Sequence, residues 1–280
     1  MSKKNILRSI QIVLSIALVI FIALQAETFF SKVTWSVVAD RWINIIAAGV
    51  LFLIGYMFMA LHWYRVAKMI EPKAKKSQWL AYFASQPYKY LPTSFFTFSF
   101  RAIYAKKLGL NIRQSSEAQI IENANLVGCA LVVGMLCAIY ATNLLFGCIF
   151  TLLIGMVIYI LWMQKKFDLP FVSRQLDLRA WLKTIAIVSC GWVVMGLGFL
   201  VVSSAIELKT DVLVAVAANS LATGFGIIAV FAPGGIGVRE LVFSFFAYAS
   251  TTILIWRLTT FVVDIVAGAV SIWMIERSQK

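Results

Sequence analysis

The chain has 280 residues, is 61% hydrophobic, and has a mean hydropathy of +0.89 and a formal net charge of +13. This composition excludes an ordinary soluble domain. It also argues against nucleic-acid binding, because the basic residues cluster in short segments between apolar runs, where membrane orientation and anionic headgroups call for them.

Lys3, Lys4 and Arg8 precede a first apolar run, about 10–24. Its length and the absence of a small-residue cleavage site make it a retained anchor. A second run covers about 43–64, and each run is near the ~20 residues a crossing needs. The basic cluster Arg65, Lys68, Lys73, Lys75 and Lys76 follows. The positive-inside rule then places the N-terminus and this cluster in the cytoplasm, and the loop 27–41 outside.

The stretch 78–107 is apolar and aromatic but interrupted by Pro87, Lys89 and Pro92, with basic residues on both flanks. Each arm is about 13 residues, or ~20 Å of helix against ~30 Å of hydrocarbon. A re-entrant hairpin with its tip at 88–94 fits. The alternative, a helix lying on the membrane surface, lacks a polar face around Gln78–Phe83.

Further crossings are expected at 118–140, 144–163 and 184–204. From Val212 the chain is apolar to Phe231, then turns at Pro233 and is apolar again from Leu241 to Ile275. Arg277 and Lys280 put the C-terminus in the cytoplasm. That requires an odd number of crossings after Asp211. A hairpin plus one crossing and three full crossings both satisfy it, with Ala249–Thr252 as the candidate break. The expected fold is all-α and polytopic: a single domain over 1–280, with about six transmembrane helices and two re-entrant helical hairpins. Its segment order suggests an inverted repeat with halves 1–141 and 142–280.

Phe231-Ala-Pro-Gly-Gly-Ile-Gly-Val-Arg-Glu240 is the most informative stretch. A proline and three glycines break a membrane helix. Broken backbone at that depth is tolerated where it is buried in protein or lines a polar cavity. One reading is a re-entrant turn whose N–H groups, from Gly234, Gly235 and Gly237, act with Arg239 on an anion such as a lipid phosphate. The other is an ordinary interfacial loop with an Arg239–Glu240 pair.

Lys89, Arg101, Arg239 and Arg257, with Glu122, Glu240 and Asp264, are the charges left at membrane segments. Each needs a partner or a wet cavity. The basic four are candidate substrate-binding residues. Glu122, Glu240 and Asp264 are candidate counter-charges or proton-coupling groups, or members of a structural ion-pair network. Arg257 and Asp264 lie two helical turns apart, too far for direct pairing. The four cysteines fall inside apolar runs without metal spacing, and His62, the single histidine, reads as a packing or interfacial residue. No catalytic group, metal or cofactor is expected.

Pro233–Glu240 resembles the signature of the flippase-like membrane family related to the transmembrane region of lysylphosphatidylglycerol synthases. Lys89-Tyr-Leu-Pro-Thr-Ser94 is similar to that family's first motif, although a glycine is common near Thr93 or Ser94. The resemblance implies action on membrane lipids or lipid-linked sugars. The chain ends at Lys280, soon after its last apolar run, so the family's soluble synthase domain does not carry over. The expected function is transport of an anionic phospholipid or a polyprenyl-phosphate-linked lipid in a bacterial or archaeal plasma membrane. The alternatives are a membrane enzyme, or an accessory subunit serving a partner enzyme of lipid or glycolipid synthesis.

Overall fold

The computed structural model describes residues 35–91, 95–142, 178–207, 211–229 and 233–279. Among these residues the fold is all-α, without strands. After a short α1 (Trp35–Asp40), four helices are long and apolar enough to cross a membrane: α2 (Trp42–Ile70), α5 (Ile112–Thr142), α6 (Leu178–Glu207) and α9 (Ser250–Arg277). The shortest has 28 residues, ~42 Å of helix, more than the hydrocarbon thickness. The expected crossings at 10–24 and 144–163 lie outside the described residues.

Large apolar side chains cover the surface, as a membrane-spanning bundle requires, and several charged and polar side chains sit within an otherwise apolar core. Trp42, Ile43, Ile46 and Met57 of α2 are exposed, as are Val262, Val266, Val270 and Trp273 of α9. Arg101, Glu122, Asn219 and Asp264 are buried instead. Patches of this extent are rare on soluble monomers. His62 is fully buried, so its role is packing rather than interfacial.

The long helices pack through small residues. At the α2–α6 contact, a Cβ on Gly55 would overlap Met195, and one on Gly191 would stand 2.9 Å from the Met59 side chain. Without water to drive association, membrane helices depend on this close approach.

Helix α2 stops at Ile70, just before Glu71-Pro72, where proline disfavours a helical predecessor. Two shorter helices follow, α3 (Trp79–Ser85) and α4 (Phe95–Lys107), joined through a 3-10 turn at Gln86–Tyr90. They pack against each other as an out-and-back pair. The Tyr88 ring stacks on Phe100, with centroids 3.6 Å apart, and its hydroxyl meets that of Tyr104 at 3.0 Å. Buried Gln78 anchors the entry: its side-chain amide donates to the carbonyls of Ala105 and Leu108, while its backbone carbonyl accepts from the Trp63 indole. The tip expected at 88–94 therefore begins as a 3-10 turn; residues 92–94 are outside the described set.

A second broken unit contains α7 (Val212–Ile228), a 3-10 turn at Pro233–Gly235, and α8 (Val238–Phe245). Asp211 caps α7 by accepting from the Val214 N–H at 2.9 Å. Helix α8 has eight residues, ~12 Å, too short to cross the hydrocarbon. The chain then turns at Phe246–Ala249, slightly ahead of the expected break at Ala249–Thr252, with Ala247 at φ 53°. The run Leu241–Ile275 is thus two helices of unequal length.

Candidate functional site

A cavity of about 580 Å³ lies where the two broken units meet. Its lining combines the cations Lys89, Arg101 and Arg239 with apolar side chains such as Met59, Leu126 and Met195, and it includes Gly234 and Gly235. No Asp or Glu lines it among the described residues. The two turns touch here: a Cβ on Gly234 would stand 3.7 Å from the Tyr90 ring.

The first unit brings two cations, each already partnered. Lys89 Nζ lies 2.6 Å from Asp264 Oδ2 and donates to the Tyr56 hydroxyl at 3.3 Å. The Tyr90 hydroxyl donates to the same Asp264 oxygen at 2.6 Å. Asp264 sits on α9 and is 1% exposed, so it is held by two groups from one turn. Lys89 also lies 5.2 and 5.4 Å from the ring centroids of Tyr56 and Tyr90. Lys89 therefore points into the protein. Arg101 of α4 pairs with fully buried Glu122 of α5 and donates from Nε to Ser85 Oγ at 2.9 Å. Its guanidinium stands 4.7 Å from the centroid of the Tyr82 ring.

The second unit is arranged differently. Gly234, Gly235 and Gly237 have φ of 57°, 70° and 85°, a region that other residues enter at a cost. Gly235 also allows close contact: its Cβ would lie 2.8 Å from the Gly226 Cα of α7. A Cβ on Gly226 would in turn overlap Arg239. The Arg239 stem thus runs through a slot formed by two glycines.

Arg239 and Glu240 do not pair. Adjacent helical residues point in different directions. Glu240 folds back so that Oε2 accepts from the Gly237 N–H at 2.7 Å, the N3-to-N-cap half of a capping box. Its other oxygen pairs with Arg257 of α9. Gly237 is thereby removed from the expected set of free donors, and Arg257 is turned to Glu240 and does not line the cavity. Arg239 is left with the Trp256 ring, 5.7 Å from its guanidinium carbon. Its Nε is buried without an acceptor, and among the described residues no carboxylate lies within ion-pair distance of it.

All seven charged residues singled out in the sequence thus fall around one centre, where four cations face three carboxylates. Residues the sequence did not single out complete it: Gly226, Trp256, Tyr56, Tyr90 and Ser85. Gly226 carried a signal, since Thr223-Gly-Phe-Gly226 places two glycines within a helix. Among the described residues, no cluster of His, Cys, Asp or Glu could hold a metal ion. Compared with models of protein families, with curated proteins and with solved structures, the chain matches none.

Proposed function

We propose that this chain is a membrane lipid transporter that holds an anionic phosphate headgroup against Arg239. One observation carries the reading: a half-buried guanidinium at a cavity, with its Nε buried and between helices long enough to span a membrane, lacks a carboxylate partner among the described residues. An uncompensated buried charge is costly, and a bound anion relieves that cost. The positive-φ turn at Gly234–Gly235 lies beside the guanidinium and can add backbone donors. The family resemblance of Pro233–Glu240 and Lys89–Ser94 supports the same reading.

In this proposal 79–107 and 212–245 are re-entrant hairpins entering from opposite faces of a plasma membrane. They belong to the halves 1–141 and 142–280 of an inverted repeat with about six crossings and both termini cytoplasmic. The short arms of both units and the contact between their turns support it.

The test is translocation of fluorescent phosphatidylglycerol in vesicles containing the purified protein. Wild type should move the lipid, Arg239→Ala should not, and both should melt at similar temperatures in detergent. A wild type that moves no lipid, or a folded Arg239→Ala that moves it at the wild-type rate, overturns the proposal.

A further inference from the structure

Resting on the reading above, we infer that the headgroup is a monoanionic phosphodiester, as in an acidic glycerophospholipid, and neither a zwitterion nor a diphosphate. The inference comes from the charge balance around the cavity. Lys89 is neutralised by Asp264, Arg101 by Glu122 and Arg257 by Glu240. Among the described residues this leaves one positive charge, on Arg239. Transferring a proton within any pair leaves that pair neutral, so the excess does not depend on where the proton sits.

One bound negative charge therefore makes the loaded site neutral, and a neutral complex best tolerates low-dielectric surroundings. A phosphodiester carries a single charge, whereas a phosphomonoester carries about 1.5 to 2 at neutral pH. A diphosphate carries more and would leave negative charge with only uncharged lining groups, such as Gln86, Thr97 and Asn123, to meet it. A zwitterionic headgroup fails differently. Its phosphate can meet Arg239, but its ammonium finds no lining carboxylate among the described residues, and the site retains its excess charge. Arg239 suits the chosen group, because a guanidinium donates in parallel to two oxygens of one phosphate.

The pairing also predicts how to change the preference. Asp264→Asn releases Lys89, which lines the cavity, and raises the excess to two charges. Removing both partners, Lys89→Gln with Asp264→Asn, returns it to one.

The experiment titrates full-length protein in detergent with dioleoylphosphatidylglycerol, dioleoylphosphatidylcholine and farnesyl diphosphate, following the thermal melt. Wild type should bind the phosphatidylglycerol at least about tenfold tighter than either of the others, a difference of roughly 1.4 kcal/mol. Asp264→Asn should move the preference to the diphosphate, and the double variant should restore it. A separate arm uses soluble glycerophosphoglycerol. Competition at concentrations similar to the lipid's would overturn a lipid source for the phosphodiester, and far weaker competition supports it. Equal binding of phosphatidylcholine, tightest binding of the diphosphate by wild type, or an unchanged order in folded Asp264→Asn overturns the charge assignment. Should Asp264→Asn not fold, the wild-type order of the three lipids decides alone. Failure of wild type to bind or move any lipid instead removes the transport reading itself.

Discussion

The two broken units meet at one cavity, yet they treat charge in opposite ways. The first delivers Lys89 and Arg101 with their partners attached, Asp264 from α9 and Glu122 from α5. Its turn is a compact 3-10 segment whose Pro87 packs against Gly268, where a Cβ would overlap the ring. The second delivers Arg239 from a turn of three positive-φ glycines and gives its adjacent carboxylate to Arg257. The difference separates roles. A paired buried cation holds elements together, whereas the half-buried Arg239, with no carboxylate among the described residues, is the cation left for an anion in the function proposed above.

That distinction fails if the paired cations are dispensable for folding. Glu122→Gln should produce the largest loss. It leaves Arg101 buried and uncompensated, and breaking a buried pair in this way costs about 3–5 kcal/mol. A chemical or thermal melt in detergent reads it. Arg101→Met with Glu122→Leu, which removes both charges, should recover much of the loss. A folded, wild-type-stable Glu122→Gln would mean that the first unit is not the structural one.

Arg239→Ala should do the reverse, leaving the melt without lipid nearly unchanged while removing lipid binding. A charge-assisted hydrogen bond is worth about 1.5–3 kcal/mol, roughly ten- to a hundredfold in affinity. Arg239→Lys should fall between, since an ammonium keeps the charge and loses the planar fork.

Gly226→Ala tests the slot rather than the charge. The new methyl would overlap the Arg239 stem, a flexible side chain that can move aside. The expected result is several-fold weaker lipid binding with a melt shifted by only a few degrees. Gly235→Ala differs, because its methyl meets the Gly226 backbone, which cannot yield, at a residue with φ 70°. It should lower stability and binding together. Equal effects of the two variants would dissolve the distinction between aiming Arg239 and holding the turn.

How much of this was legible in the sequence follows from the range of each interaction. The places of the apolar crossings and the break at Pro233 are local and could be read directly, although α2, α5 and α6 run beyond the expected 43–64, 118–140 and 184–204 because helices continue past the apolar stretch. So could the isolation of seven charged residues within apolar runs, since hydration cost makes any such charge exceptional. The partners of Lys89 and Arg101 could not be read. Asp264 meets a lysine and a tyrosine lying 175 and 174 positions earlier, and that contact exists only once α9 packs against the first turn. The adjacency of Arg239 and Glu240 suggested a pair, although successive helical residues diverge. The spacing of Gly237 and Glu240 was the better guide, because an acidic residue three positions after an N-cap reaches back to it.

The smallest effect concerns Arg257, which the sequence offered as a substrate-binding cation beside Arg239 and the structure turns toward Glu240. In this arrangement Arg257 acts on the site indirectly, by occupying the carboxylate nearest in sequence to Arg239. Arg257→Ala frees Glu240, which remains tied through its other oxygen to the Gly237 N–H at the start of α8. A freed carboxylate beside Arg239 competes with a bound anion. The Arg257–Glu240 pair is partly exposed, with side chains at 20% and 30% of their free accessibility, so solvent screens the change. The expected loss of phosphatidylglycerol affinity is therefore about two- to fivefold, within the ~1 kcal/mol typical of such pairs. Adding Glu240→Gln removes the competing charge while keeping an oxygen to cap Gly237, and affinity should return close to wild type. If the double variant binds as weakly as Arg257→Ala alone, Arg257 contacts the headgroup itself, and the second unit supplies two working cations instead of one.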